Sequence, residues 1–301
     1  MAGGLKEVRD RIASVKNTQQ ITKAMKMVSA AKLRRAQQAI QEVRPYASRL
    51  NAILRNILAT LEEGDGGSEF GVERPIERAA IVVATSDRGL AGAFNTNIAK
   101  QAAQLLDSET YRRARANGGV EIIAIGRKGA DYLKKRFPDV RINREFESVG
   151  ATPTFDNAAR VSEYLMDRFR DGTLDRVDVT YSRFRNAAVQ FASTAQYLPV
   201  APPAEEDDGV GFGRQTDYLY EPSKGELLRT LVPSILRTTL HAYVLDVAAG
   251  EHGARMTAMD KATDNADELL RDLKISYNKA RQEVITSELA EIVGGAAALE
   301  G

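Results

Sequence analysis

Two stretches of this sequence repeat their apolar residues every three and four positions for longer than a compact domain can use. Toward the N-terminus, Ala36, Ile40, Val43, Ala47, Leu50, Leu54, Ile57 and Leu61 follow steps of 4,3,4,3,4,3,4. Toward the C-terminus, Met256, Met259, Thr263, Ala266, Leu270, Leu273, Tyr277, Ala280 and Val284 follow steps of 3,4,3,4,3,4,3,4. A 3.5-residue period held this long is a coiled-coil seam, not the face of a globular amphipathic helix. Upstream of the first seam, Leu5, Val8, Ile12 and Val15 begin the same stripe. It loosens at "NTQQ" and is expected to resume at Ile21, Met25 and Val28. A helix from Leu5 to Leu61 would be roughly 85 Å long, and a second, beginning in "YLYEPSKGELLRTLVPSILRTTLHAYVL" and reaching Leu299, roughly 110 Å.

Breakers bound these helices. Gly64, Gly66 and Gly67 end the first, and Pro45 is a local fault within it. Pro233 is expected to interrupt the second, and Gly250 and Gly253 to weaken it. The expected segments are a coiled-coil helix over 1–62, a linker over 63–75, an α/β domain over 76–200, a linker over 201–217 and a second coiled-coil helix over 218–301.

Between the seams the period changes. "AAIVVATS" (79–86) and "GGVEIIAIG" (118–126) are short Val/Ile-rich runs of the kind that form buried strands. Helical stretches follow at Phe94 to Leu106 and Lys128 to Arg136. "VRINREFESV" is a candidate third strand, and Phe155 to Arg170 a helix with Ala158, Val161, Leu165 and Phe169 on one face. "DRVDVTYSRF" and "AVQFASTAQYLPV" suit an antiparallel pair. Strands alternating with helices predict a parallel, Rossmann-like sheet. The fold class is therefore α/β plus coiled coil: two long antiparallel terminal helices forming a shaft, with a small domain inserted between them.

Charge supports pairing of the two seams. Residues 1–50 carry eleven Lys or Arg against three Asp or Glu, a net of +8. Residues 251–300 carry six against ten, a net of −4. Opposite signs at the two ends favour an intramolecular pair, which the inserted domain forces to be antiparallel. The chain lacks Cys, which removes disulfides, thiolate metal sites and Cys nucleophiles. No run of about 20 apolar residues predicts a transmembrane helix, and "MAGGLKEVRD" lacks the apolar centre of a secretion signal. Residues 11–41 are basic and acid-poor, as transit peptides are, but continue into the long helix and read as mature protein.

Few residues suggest chemistry. "TSDRGLAGAFN" (85–95) sits where phosphate loops occur, between a strand and a helix, but matches neither common glycine spacing and supplies no lysine. It reads as a tight turn in which Asp87 caps nearby backbone N–H groups, and "IGRKG" (125–129) as another turn. The two histidines, His241 and His252, have no clustered carboxylate, so neither metal nor cofactor is expected. The basic run from Arg11 to Arg35 could mark a nucleic-acid binder, the alternative reading of the chain. It lacks interleaved aromatics, however, and its apolar positions belong to the seam. A small nucleotide enzyme with helical arms is a third reading.

Three blocks carry a family resemblance: "LKEVRDRIASVKNTQQITKAMKMVSAAKLRRAQ", "TSDRGLAGAFN" and "EHGARMTAMDKATDNADELLRDLKISYNKARQEVITSELAEIVGGAAAL". With them the chain closely resembles the gamma subunits of F-type ATP synthases. The resemblance implies a non-catalytic rotor inside three alpha and three beta subunits, attached at its foot to the epsilon subunit and the c-ring of Fo. It implies no cofactor and no nucleic-acid partner, and a peripheral place on the cytoplasmic face of a bacterial inner membrane, with contact to the membrane only through Fo. By matching position, Lys23, Met25, Lys26, Arg255, Gln282, Thr286 and Glu291 would meet the alpha and beta subunits. Ile292, Val293, Gly294 and Gly295 would form a bearing tip, and Tyr218, Tyr220 and Glu221 the foot.

Overall fold

A computed structural model describes residues 2–59, 69–200 and 224–300. The expected foot residues Tyr218, Tyr220 and Glu221 lie outside the described residues, as do the linker over 201–217 and the side chains of Leu54 and Ile57. The contacts divide the chain into two units. One comprises 1–29 and 256–301, the other 30–255. Two helices run through both: α1 (Ala2–Ala59) and a terminal helix, Lys224–Glu300.

The larger unit is built on a five-stranded sheet. Its elements in chain order are β1 (Ala79–Ala84), α2 (Phe94–Leu106), α3 (Glu109–Ala116), β2 (Val120–Ile125), α4 (Arg127–Arg136), β3 (Arg141–Asn143), α5 (Phe155–Arg170), β4 (Arg176–Phe184) and β5 (Gln190–Leu198). The terminal helix is α6. The strand order is β3-β2-β1-β4-β5, with β1 to β4 parallel and β5 antiparallel to β4. β1 and β2 are buried along their whole length, which is why they read as unbroken apolar runs rather than alternating ones.

Two buried charges show which helices cover which face. Glu121 of β2 pairs with Arg168 of α5 at 2.7 Å, and that arginine also donates to the Tyr164 hydroxyl. Asp178 of β4 accepts from the hydroxyl of Tyr111 on α3 and from Arg176 at 2.8 Å. Glu121 lies in register with Ala80, and Asp178 with Ile81. Successive strand residues point to opposite faces, so α5 covers one face and α3 the other. This is the two-sided winding expected of a Rossmann-like order.

Helix α6 enters this unit beside α5, where Arg237 meets Glu163 at 3.2 Å. The buried Tyr197 hydroxyl donates to the Leu236 carbonyl, and Tyr243 stacks on Tyr181 with centroids 4.2 Å apart. Leu228, Val232, Leu240 and Val244 are almost fully buried in the same core as the strands. This packing explains a departure from the sequence reading: Pro233 does not interrupt α6. It deletes one backbone bond, but the buried residues on either side pin the helix through it. A second departure is α3, which the sequence reading passed over. A third is β3, only three residues long and followed by a 3-10 turn at Glu147–Gly150.

The smaller unit is an antiparallel helix pair. Arg9 donates to Tyr277, Gln19 to Asp267, Thr22 meets Thr263, and Lys26 pairs with Asp260. Numbers rise along α1 as they fall along α6. The α6 seam is that of the sequence, from Met256 through Val284. On α1 the seam differs in the middle. Thr22 and Ser29 are buried, whereas Ile21 and Val28 are 60% and 56% exposed. The 3,4 spacing set by Leu5, Val8, Ile12 and Val15 simply continues to Gln19, Thr22, Lys26, Ser29 and Leu33. The helix keeps its register and accepts polar residues in the seam rather than twisting to bury Ile21 and Val28.

Candidate functional site

In an open sheet of this order the crevice beyond the carboxyl ends of β1 and β4 is where ligands bind, because the winding reverses there. Two segments border it: the turn after β1 (85–93) and the turn joining β4 to β5 (185–189). In this chain the crevice is occupied by α6.

The turn after β1 is tied down at every step. The buried Thr85 hydroxyl accepts from the Gly129 amide at 2.9 Å. Asn95 Oδ1 accepts from the Ser86 amide at 2.9 Å, and the Ser86 hydroxyl donates to the Arg88 carbonyl at 2.8 Å. Asp87 Oδ1 accepts from the Arg127 amide at 3.1 Å, so it caps the start of α4 across the neighbouring turn, where the sequence reading had placed its cap within its own turn. Gly126, at φ +82°, lies so near the Thr85 carbonyl that a Cβ there would be 2.0 Å from its oxygen, so the two turns touch backbone to backbone. Past Asp87 the chain makes a left-handed bend with Leu90 at φ +63°, and this Leu is 65% exposed.

Two carbonyls of this bend face α6. Arg88 and Gly89 accept from the Arg255 guanidinium of α6 at 3.3 and 3.1 Å. Arg255 is 8% exposed and also pairs with Glu251 one turn earlier. On the other side, α6 presents Gly250 and Gly253. A Cβ on Gly250 would lie 2.9 Å from the Phe94 ring and 3.1 Å from the Ser182 hydroxyl; one on Gly253 would lie 3.0 Å from the Ala187 carbonyl. The glycines let the helix backbone sit against the β4–β5 turn. A phosphate needs free N–H donors and room; this crevice offers carbonyls already bonded and a helix in the space.

The remaining expected residues sit as follows. Lys23 is exposed, Met25 and Lys26 are half-buried, and the charge of Lys26 is answered within the chain by Asp260. Arg255 is turned inward, as described, which its position in the sequence did not reveal. Gln282, Thr286 and Glu291 are exposed on α6. Ile292 and Val293 are 67% and 66% exposed, and among the described residues no atom beyond the local helix backbone lies within 4 Å of where a Cβ would stand on Gly294 or Gly295.

The titratable groups of the larger unit are structural in their surroundings. Burial pushes the Asp246 carboxyl up to about 6 against the opposing fields of Arg44 and Arg183. Burial, with Lys32 and Arg255 nearby, pulls the His252 imidazole down to about 4. His241 lies within 3.3 Å of the Pro153 carbonyl and edge-on to Phe155, and burial lowers its pKa. Among the described residues no three His, Cys, Asp or Glu side chains group as metal ligands, and no helix is long and apolar enough to cross a membrane.

Comparison with known proteins agrees with this geometry. Residues 4–299 match the ATP synthase family profile. The chain is 50% identical over 295 residues to the ATP synthase gamma chain of Cytophaga hutchinsonii, covering 98% of each. It is likewise 50% identical over 297 residues to that of Flavobacterium psychrophilum, covering 99% of each. Its fold is similar to a chain in the Euglena gracilis mitochondrial ATP synthase OSCP/F1/c-ring structure, with a TM-score of 0.63, 21% identity and coverage of 99% of this chain and 95% of that one. The antiparallel helix pair, the wound sheet with its filled crevice and the near-complete match to these relatives have one common meaning: the chain belongs to the ATP synthase gamma-chain family.

Proposed function

We propose that this chain is the central-stalk rotor of an F1Fo ATP synthase, coupling ion-driven rotation of a c-ring to conformational cycling of catalytic beta subunits. The observation that carries the reading is the 50% identity to ATP synthase gamma chains over 98% of the length. On this reading the chain is not catalytic. Support comes from the crevice of its sheet, where Arg255 and two helix glycines stand in the place a nucleotide would need. Nucleotide sites belong to the partners, three alpha and three beta subunits.

A rotor acts on three equivalent partners only if its contacts differ in free energy between their states. The exposed side chains of the helix pair can supply such differences. Lys23 and Met25 lie near the exposed Ile21 and Val28 on α1, and Gln282, Thr286 and Glu291 are displayed on α6. Exposed Ile292 and Val293, followed by two glycines on which no described residue packs, suit a smooth tip turning in an apolar sleeve. The epsilon subunit and c-ring meet the foot around Tyr218, Tyr220 and Glu221, which keeps the chain peripheral on the cytoplasmic face of the membrane. Run in reverse, ATP hydrolysis drives ion pumping through the same contacts.

Reconstitution tests the proposal. The isolated chain is expected neither to bind nor to hydrolyse ATP, while its addition to alpha and beta subunits supports steady turnover. Equal ATPase and synthesis with and without the chain would overturn it. The nucleic-acid reading has a separate test, since it requires steeply salt-dependent binding; a flat gel shift at low salt is expected.

A further inference from the structure

The geometry points to Arg255 as the key of a rigid joint between α6 and the sheet, a positioning residue through which load passes from the α/β domain to the helix. This inference rests on the rotor reading above. A helix resting on a sheet by apolar contacts alone can roll about its axis and slide along it, because apolar contact is not directional. Here α6 is gripped from two sides. On one side Arg255 reaches the carbonyls of Arg88 and Gly89. On the other, Gly250 and Gly253 bring the helix backbone against Phe94, Ser182 and Ala187.

Both jaws are themselves locked. The turn at 186–190 is closed by Asn186 Oδ1, which accepts from the amides of Ala188 and Val189 at 3.0 and 2.8 Å, and by Gln190 Nε2, which donates to the Ala187 carbonyl at 2.8 Å. The turn at 85–93 is held by Thr85, Ser86, Asp87 and Asn95, as described. Its bend places Leu90 in the left-handed region, a conformation that persists in a non-glycine residue only where the surroundings over-determine it. The guanidinium, bonded to two successive carbonyls of that bend, is a charged group that joins it to α6. Glu251 holds the guanidinium in place from its own helix. Nη2 of the planar group is shared between the two carbonyls while Nη1 is held by Glu251, so the guanidinium is fixed at both ends and resists rolling and sliding together, which a single contact does not.

The test uses the assembled rotary complex. The chain has no cysteine, so a bead can be attached through a single introduced one. Lys100→Cys places it on exposed α2, and Lys274→Cys on an exposed position of α6. Angular fluctuation of the bead is recorded with the complex stalled by a non-hydrolysable nucleotide. Arg255→Met, which keeps the aliphatic stem and removes the donors, is expected to broaden the fluctuation at the α2 bead and leave that at the α6 bead unchanged. In the same complex, amide exchange of residues 86–93 should accelerate on the order of tenfold while β1 and β2 stay protected. Arg255→Lys should fall between the two, since it keeps a charged donor but not the planar group; it also serves if Arg255→Met does not assemble. Unchanged width at the α2 bead, equal broadening at both beads, or exchange rising across the whole sheet would each overturn the joint. Failure of the rotor reading would look different: no rotation in the unsubstituted chain.

Discussion

The hydroxyls of Thr22 and Thr263 lie 2.8 Å apart in the seam between α1 and α6. Each also has an oxygen of its own helix to donate to, the carbonyls of Gln19 and Met259 respectively, so the pair can share its two protons without leaving an acceptor bare. Around it the seam stays polar, with Gln19 on Asp267, Lys26 on Asp260 and Ser29 bonded to the Met25 carbonyl. Polar residues at seam positions fix register at a cost in stability. A double-mutant cycle therefore has a definite expected form. Thr22→Val or Thr263→Val alone should destabilise the chain by about 1 kcal/mol, by leaving one hydroxyl short of a partner. The double substitution should cost less than the sum, and its pair should tolerate a shifted register. Urea denaturation of the four chains checks the first point. A cysteine pair placed across the seam, oxidised out of register, checks the second.

This stretch also marks where the sequence stopped being legible. Spacing alone found the apolar seams and the exact limits of α2 and α5, because those residues repeat with the period their own element imposes. It placed Ile21 and Val28 in the seam because they are apolar. The structure leaves them exposed, since register is a property of the whole helix and outweighs two local side chains. Helix α3 escaped because "ETYRRARA" buries only Tyr111 and Ala114, too few for a stripe. Asp87 was readable as a cap from its place in a turn, but not which amide it caps, because Arg127 lies on another turn far along the chain. Arg255 was not readable as the occupant of the sheet's crevice, because its acceptors are backbone carbonyls of Arg88 and Gly89, far earlier in the chain and carrying no side-chain signature.

The glycines of α6 divide by what surrounds them. At Gly250 a methyl group would press on Phe94 at 2.9 Å and on Ser182 at 3.1 Å. Gly250→Ala gains about 1 kcal/mol of helix propensity but overpacks a close joint, which typically costs about 1–3 kcal/mol; net destabilisation is expected. At Gly294 no described residue beyond the local helix backbone comes within 4 Å, so Gly294→Ala should gain most of that ~1 kcal/mol in local helix stability. Thermal unfolding of the isolated chain reads the first. Amide exchange over residues 288–298 reads the second. A loss at Gly294 or a gain at Gly250 would contradict the packing described.

Tyr111 and Asp178 form a buried donor–acceptor pair between α3 and β4, completed by Arg176. Burial and the neighbouring carboxylate push the tyrosine's pKa up, which keeps its hydroxyl a donor at any working pH. Tyr111→Phe removes one of the donors to a carboxylate that is 1% exposed. The expected cost is about 1.5–3 kcal/mol, as for a hydrogen bond to a charged group. Asp178→Asn in the same background should recover part of it, because the uncompensated charge is then gone. Denaturation midpoints of the single and double variants decide; additivity would show that the two residues act independently.

Asp246 and His252 give the larger unit two opposed pH dependences. The Asp246 carboxyl is raised to about 6 in the folded chain, from about 3.9 when unfolded. The folded state thus holds its proton more tightly, and stability is lost as pH rises from about 4 to 6. His252 is lowered to about 4, from about 6.5 when unfolded. Here the unfolded state binds more protons, and stability is lost as pH falls from about 6.5 to 4. Each group can shift stability by at most about 3 kcal/mol, and between pH 4 and 6 the two oppose one another. Asp246→Asn should therefore raise the melting temperature at pH 7.5 and leave it unchanged at pH 3.5. His252→Gln should do the reverse, with little effect at pH 7.5 and a gain near pH 4.5. In the double variant both slopes should vanish. Melting curves of the full chain from pH 3.5 to 7.5 provide the measurement, and parallel profiles for all four chains would show that neither burial controls titration.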